Sequence, residues 1–425
     1  MTEIATPDRT KLTLSDQDIS DAYIYLLGRL LITRQQQDDF DHQGLEWNKL
    51  VHRKPGQVNW PNPNLDVAYS EAWVALDENS WMFVTVPEIT GRYYTVEFLN
   101  GWGETLANIN ERVYPDHPNG LFAVCLKGSN VVTPATAKRL ELSERLARVL
   151  LRVELGDNWD DAVALQHGFK FEIQGNPPHP EIPRTVMFDL EAPPGVEAFE
   201  SAILALDSSP DTNPGMEEVQ VNARSIAEAV KDPGERARID GVIKQKALWD
   251  FAAASPNVGH GTVRNNWARP ACSGHFGNDW LTRTLINFGG IWANSFDEVI
   301  YYKCMLDQDG SQINASNMYS LTFPADDLPQ KYAYFFWSII AVDMKHMRVL
   351  PNPMNKFLLN RECDLKYNDE GSLTLWAAPE KPAKAPVNNW LPTLGGKDYR
   401  FSFRFYGPRG GVADGTYFPP PVIKH

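Results

Sequence analysis

The sequence predicts a mainly β protein with helical segments, an α+β chain in which two β-rich regions flank a helical one. Three observations carry this. From Asn317 to Pro408 the chain reads NMYSLTF, YFFWSIIAVD, KFLLN, LKYNDEGSLTLWAAPEKP, NNWLPT and YRFSFRFYGP. These are short alternating runs broken by turn residues at regular intervals, the spacing of an all-β sandwich or barrel. From Asp66 an earlier region shows the same two-residue period. Between them, residues 174–196 carry Pro177, Pro178, Pro180, Pro183, Pro193 and Pro194, a linker signal, and amphipathic stretches follow. The expected division is an N-terminal helical segment (1–60), a first β-domain (61–175), a linker and helical region (176–303) and a second β-domain (304–425).

Ser15, with Asp18 three positions on, makes an imperfect capping box, and Ile19, Tyr23, Leu26, Leu27, Leu30 and Leu31 recur at helical spacing. The prolines and asparagines of WNKLVHRKPGQVNWPNPN forbid a long helix and lead the chain, extended, into a sheet. In AYSEAWVAL, Ala68, Ser70 and Ala72 alternate against Tyr69, Glu71 and Trp73. WMFVTVP, RYYTVEFLNGW and LFAVCLKG are β-branched and aromatic, as strands prefer, and ERLARVLLRVELGD reads as a further strand. Asp157 or Asn158 then caps a short helix. Helices are expected over roughly 196–253 and 278–303, with a long Gly- and Asn-rich loop between them of the kind that often carries function. The tail TYFPPPVIKH suits an edge but not a central strand.

A chain of 425 residues with 43% hydrophobic and 11% aromatic content builds substantial cores, and two domains are expected. The formal net charge of −14 argues against a nucleic-acid or anionic-membrane partner, since both need clustered Lys and Arg. Cys125, Cys272, Cys304 and Cys363 are far apart, without CxxC, and are expected as reduced thiols. The first residues hold acids and no apolar core, so no secretory signal is read there, and a cytoplasmic protein is expected. No apolar run approaches the roughly 20 residues that span a bilayer.

The two β-regions resemble a bacterial family built from two domains of unknown function, DUF1254 followed by DUF1214. The first match rests on NLDVAYSEAW, VPEITGRYYTVEFLNGW and RVLLRVELGDNWDDAVALQ, where Asn64, Asp66, Tyr69, Ser70, Arg92 and Tyr94 keep the family pattern. Val67 and Ala68 stand where the family commonly has Thr-Leu. The second rests on GNDWLTR, NMYSLTF, FFWSIIAVD, DEGSLTLW, NNWLPT and FRFYGP. The resemblance covers most of residues 45–420. It implies two jelly-roll-like domains, sandwich or barrel, joined by a helical segment, and a homo-oligomer. It implies no settled activity.

The residues themselves nominate a site. Asp66 and Tyr69, at the head of the first strand, are the expected catalytic pair, a carboxylate and a phenol able to act as base and acid. They serve equally well to tie down a turn. Arg283, among apolar neighbours, must be paired, either with a ligand anion or in an interdomain salt bridge. Arg404 shares a strand face with Ser402 and Tyr406, opposite Phe401, Phe403 and Phe405, and so faces solvent, a cavity or the other domain. Arg92, Asn317 and Trp337 complete the expected ligand contacts, with the plainer alternatives of a strand-edge charge for Arg92 and a core residue for Trp337. His260 and His275 flank the Gly-rich loop and are weak metal candidates if Asp279 or a glutamate joins them. No GxSxG elbow, P-loop or dinucleotide fingerprint is present, so no nucleotide cofactor is expected. The function expected is cofactor-free acid/base chemistry (hydrolysis, elimination or isomerisation) on an anionic or hydroxylated small molecule between the β-domains. The alternatives are a carbohydrate- or small-molecule-binding module without turnover and a metal-dependent enzyme.

Overall fold

A computed structural model describes residues 14–57 and 60–425. The N-terminal residues in which no secretory signal was read, 1–13, and Val58 and Asn59 of the proline-rich stretch lie outside the described residues.

Two β-sandwiches form, each from two open sheets. In the first, one sheet runs β1 (Val51–His52), β2 (Val67–Ala75), β8 (Leu146–Glu154), β4 (Tyr94–Leu99), β5 (Thr105–Ile109). The facing sheet runs β7 (Lys138–Leu142), β6 (Gly120–Leu126), β3 (Trp81–Val86), β9 (Lys170–Gln174). Ala72, Val74, Val96, Val149 and Leu151 of one sheet meet Met82, Val84, Phe122 and Val124 of the other in a single core. Helix α2 (Trp159–Gly168), capped by Asn158, leads from β8 to β9.

In the second sandwich the larger sheet runs β10 (Thr262–Arg264), β11 (Trp267–Arg269), β12 (Val299–Cys304), β18 (Tyr399–Tyr406), β14 (Trp337–Asp343), β15 (Leu358–Asn360). The smaller runs β17 (Trp390–Pro392), β16 (Leu373–Ala378), β13 (Tyr319–Phe323), β19 (Ile423–Lys424). The tail thus pairs at an edge, as its prolines require. Phe401, Phe403 and Phe405 point into this core with Trp267, Ile339, Leu321 and Leu375. A short helix, α8 (Gly411–Asp414), follows β18.

The helical layer is built around α1 (Asp16–Asp41). Its capping box is complete: Asp18 N–H donates to Ser15 Oγ at 3.2 Å, and Ser15 N–H returns to Asp18 Oδ2 at 2.9 Å. From Ile19 to Thr33 nearly every residue is buried, so α1 is a core helix wrapped on all sides. Around it stand α3 (Ala202–Ser208), α4 (Glu217–Ala229), α5 (Pro233–Val242), α6 (Leu248–Ala254) and α7 (Trp280–Gly290). Gly28 lets α1 and α7 cross closely, because a Cβ there would lie 2.5 Å from Thr284 Oγ1.

One expectation is corrected. The helix expected over 278–303 stops at Gly290, and Val299–Cys304 is a central strand between β11 and β18. Val299-Ile300-Tyr301-Tyr302 is β-branched and aromatic, and two glycines precede it, so local preference favours the strand. The second sandwich therefore takes strands from 262 onward. The helices expected over 196–253 are present but broken into short pieces, with a 3₁₀ turn at Val196–Ser201 and a π turn at Ile243–Ala247.

Helix α1 is tied to the first sandwich through Asp39, which accepts from Trp73 Nε1 at 2.8 Å and Gln35 Nε2 at 2.9 Å and lies 3.5 Å from Arg148. Burial pushes its carboxyl up to about 6, against the pull of Arg148. A carboxyl raised on folding stabilises the fold fully below its unfolded value, and that contribution is lost as pH rises through about 6. Asp39→Asn is therefore expected to remove stability that the wild type gains between pH 7 and pH 5, roughly 1–3 kcal/mol. Urea unfolding of both proteins at the two pH values measures it.

Candidate functional site between the sandwiches

The outer faces of the two larger sheets pack on each other. All nine residues of β2 are buried, although only alternate ones reach the first core. Tyr69, Trp73, Tyr93 and Leu150 instead join Trp292, Val299, Phe336 and Tyr406 in a separate apolar cluster between the sandwiches. Tyr406 stacks on Phe336 at 4.1 Å and meets Tyr93 edge-on at 4.9 Å. Polar ties cross the same interface. Tyr93 Oη donates to Glu298 at 2.9 Å, Arg361 reaches Glu154 at 2.7 Å, and Asn64 Nδ2 donates to Tyr406 Oη.

At one rim of this interface lies a cleft of ≈ 560 Å³. Asp66 and Glu154, at the head of β2 and the end of β8, form one wall. Asn360, Arg361 and Cys363, at the end of β15, form the other, with Lys356 and Phe336 beside them and Trp159 opening α2. Asp66 is 4% exposed. Its Oδ2 accepts from Ser338 Oγ at 2.5 Å and its Oδ1 from Asn360 Nδ2 at 3.1 Å. Burial raises its proton affinity, while Ser338, Arg404 and Asn360 pull the other way. Glu154 is raised too, first by burial, against a hydrogen bond from Tyr93 N–H and the charge of Arg361. Burial also pushes the Cys363 thiol up and the Lys356 ammonium down, so the thiol is not an activated nucleophile.

A second, internal cavity of ≈ 40 Å³ lies deeper in the interface. Tyr69, Arg152, Trp292, Tyr301 and Arg404 line it. A wider depression of ≈ 700 Å³ between α1 and the second sandwich is a surface of paired charges: Lys397 with Asp343 at 2.9 Å, Lys345 with Glu191 at 3.3 Å, His346 with both acids.

The expected site residues divide accordingly. Asp66, Tyr69 and Arg404 all come to the interface. Asp66 faces the cleft, however, and Tyr69 the inner cavity, and no hydrogen bond joins them among the described residues, so they are not an acid/base pair. Being three positions apart, they leave an extended chain on opposite sides. Arg92 supports the cleft from behind, its Nη1 donating to the carbonyls of Glu154 and Leu155 at 2.5 and 2.7 Å. Arg283 lies elsewhere, its guanidinium on Asp211 (2.6 Å) and Glu104 (3.2 Å) and 4.3 Å over Trp102. It is a salt bridge that ties the helical layer to the β4–β5 loop of the first sandwich rather than a ligand clamp. Trp337 is a core residue, edge-on to Phe403 at 5.6 Å, because its strand parity matches Ile339 and not Ser338. Asn317 donates to Tyr319 Oη at 3.2 Å, on the smaller sheet away from both cavities. His260 pairs with Asp279 at 2.9 Å at the start of α7, and His275 is exposed without joining them. Among the described residues no three His, Cys, Asp or Glu side chains gather to hold a metal.

Ser338, Asn360, Arg361, Arg152 and Tyr301 were not anticipated. For Arg152 the signal is there: RVLLRVE puts Arg148, Leu150, Arg152 and Glu154 on one strand face, and charges in so apolar a run need partners.

Comparison with known proteins follows the same division. Residues 47–172 match DUF1254 and residues 298–410 match DUF1214, each described as a protein of unknown function. The chain belongs to this two-domain family. Among solved structures it is similar to the VPA0106 protein from Vibrio parahaemolyticus, at 18% identity and a TM-score of 0.62, covering 96% of this chain and 99% of that one. That likeness shows a shared fold. A putative uncharacterized protein from Burkholderia cenocepacia aligns at 12% identity over 94% of this chain and 87% of that one, with a TM-score of 0.49. No curated protein matches the chain. No described helix is long and apolar enough to cross a membrane.

Arg283→Ala leaves Asp211 and Glu104 buried without their cation. The expected loss is about 3–5 kcal/mol of stability, read as a lowered urea midpoint. An unchanged midpoint would show that the pair is not structural.

Proposed function

We propose that the protein processes a small organic molecule in the cleft between the sandwiches, by proton transfer through Asp66 and without a cofactor. The observation that supports this reading is a carboxyl group with raised proton affinity in the wall of a 560 Å³ cleft. Burial and a charged neighbour are the means by which acid/base groups are tuned toward neutral pH. Ser338 and Asn360 hold the carboxylate in one orientation. Arg361, half-exposed at the rim where it pairs with Glu154 and Glu362, and Lys356 beside it are the cations nearest an anionic or hydroxylated substrate. The reaction class is hydrolysis, elimination or isomerisation. The four cysteines are free thiols, which suits the reducing cytoplasm we propose for it.

One observation favours a second reading, ligand binding without turnover. Both Asp66 oxygens are already hydrogen-bonded within the protein, and Trp159 stands 54% exposed at the cleft, where it can stack on a ring.

The test is a metabolite mixture of organic acids and alcohols incubated with the full chain, with consumption followed by mass spectrometry. Asp66→Asn is expected to lower turnover on the order of 100-fold or more while ligand-induced thermal shifts persist. Where the carboxylate is the base, wild-type kcat/KM should fall on acidification with a midpoint above the ordinary aspartate value of about 3.9. Wild-type turnover by Asp66→Asn would overturn the assignment, and saturable binding with no turnover by either protein selects the second reading.

A further inference from the structure

The inner cavity has a composition unlike the cleft. Two arginines and two tyrosines line it, Trp60 and Trp292 wall it, and no carboxylate is among its lining residues. Among the described residues, several of its donors have nothing to bond. Arg404 is 1% exposed and gives Nη2 to the carbonyls of Asn62 (2.8 Å) and Pro63 (3.0 Å), but its Nε and Nη1 are buried without partners. Arg152 is 3% exposed, pairs through Nη1 with Glu97 at 2.5 Å and gives Nη2 to the Trp292 carbonyl at 3.0 Å, while its Nε is unpartnered. Trp292 Nε1 is a fourth orphan donor. The Tyr301 hydroxyl accepts from Asn294 at 2.7 Å, so its own proton is free, and the Tyr69 hydroxyl has no partner among the described residues. Asn62 Oδ1 is an unpartnered acceptor on the same wall, and that amide turned by half a rotation presents its NH2 instead.

More positive charge stands behind this wall. Arg400 and Lys303 lie on the same sheet face as Arg404, both within 4 Å of the point where a Gly289 Cβ would sit. Arg400 has one acceptor, the Gly289 carbonyl at 3.0 Å, and Lys303 has no acceptor among the described residues. Burial and the neighbouring cation depress Lys303 strongly and bring Arg400 to about 10, the behaviour of cations lacking a counter-charge. Trp292 itself holds a left-handed backbone, φ +56°, a strained conformation for a bulky residue of the kind that clusters at ligand sites.

We propose that this cavity is a binding site for a small planar oxyanion, a carboxylate of formate or acetate size, held by Arg404, Arg152 and the hydroxyls of Tyr69 and Tyr301. Orphan donors from two guanidinium groups offer the planar N–H geometry that matches a carboxylate. The volume of ≈ 40 Å³ sets the size. At on the order of 10–15 Å³ per water it admits about three waters, the bulk of an anion with three or four heavy atoms. The site is separate from the Asp66 cleft and does not rest on the proton-transfer reading.

The test is calorimetric titration and thermal melting of the full chain with sodium acetate, formate and chloride at matched ionic strength. Acetate and formate are expected to bind saturably and raise Tm beyond the chloride control. Arg404→Met is expected to abolish that increment while keeping or raising the ligand-free Tm, since it removes an under-compensated buried charge. Tyr69→Phe, which keeps the packing, is expected to weaken acetate binding about tenfold. Asp66→Asn is expected to retain acetate binding, at equal or higher affinity because it removes a negative charge that couples to Arg404, which separates this site from the cleft. Equal response to all three salts, or undiminished acetate affinity in Tyr69→Phe, overturns the proposal. The second outcome decides the matter even if Arg404→Met does not fold.

Discussion

The molecule depends on one constraint: each sandwich has a sheet with two buried faces. One face closes its own core, and the other must find an apolar and electrostatic complement outside the domain. The second faces are not greasy. They carry Glu71, Glu97, Arg148 and Arg152 on one side and Arg400, Ser402 and Arg404 on the other, all almost completely buried. Taking such charges out of water costs several kcal/mol each unless they are paired. Pairing occurs within the first sandwich, Arg152 on Glu97 and Arg148 on Glu71, and across to the second, Arg361 on Glu154 and Arg112 on Glu298. Separating the two domains therefore exposes an aromatic layer and also strands ions, so the interface is a fixed feature rather than a hinge.

The helical layer holds this arrangement from the side. α1 is buried all round because it touches nearly every other helix, and Asp39 fastens its end to Trp73 on the first sandwich. α7 ends in Gly289–Gly290 and delivers Ile291 and Trp292 into the space between the sheets. Arg152 grips the Trp292 carbonyl, Arg148 lies 4.6 Å over its ring, and Trp60 meets it edge-on at 5.4 Å. The left-handed backbone at Trp292 is sustained by these contacts, so the strained residue at the inner cavity is set by the first sandwich and the helical layer together.

Local pattern made the elements legible and left their meeting points obscure. The two-residue period assigned Phe401, Phe403 and Phe405 to a core and left Arg404 on the other face, and the structure places them so. The caps at Ser15 and Asn158 follow from side-chain chemistry within three residues. Val299–Cys304 was misjudged because a run of only six residues after a helix carries little periodicity of its own. Trp337 and Arg283 were left with two readings for a different reason. An isolated tryptophan or arginine does not announce whether it meets a ligand or the protein, and each meets the protein. The partners of Asp66 are 272 and 294 positions away along the chain, and no spacing rule reaches that far.

Arg404 stands between the two cavities, and this gives them a common electrostatics. It lines the inner one and favours the ionised form of Asp66, which lines the outer one. Asp66 is thus poised between burial, which holds its proton, and Arg404, Ser338 and Asn360, which release it. An anion seated on Arg404 offsets part of that cation's field and so shifts the balance toward the protonated carboxyl. In a desolvated interior such an effect is larger than between surface charges, where water and salt screen it. Occupancy of the deep cavity and proton affinity in the cleft are linked in this way through a single side chain, and by linkage the dependence runs equally in both directions.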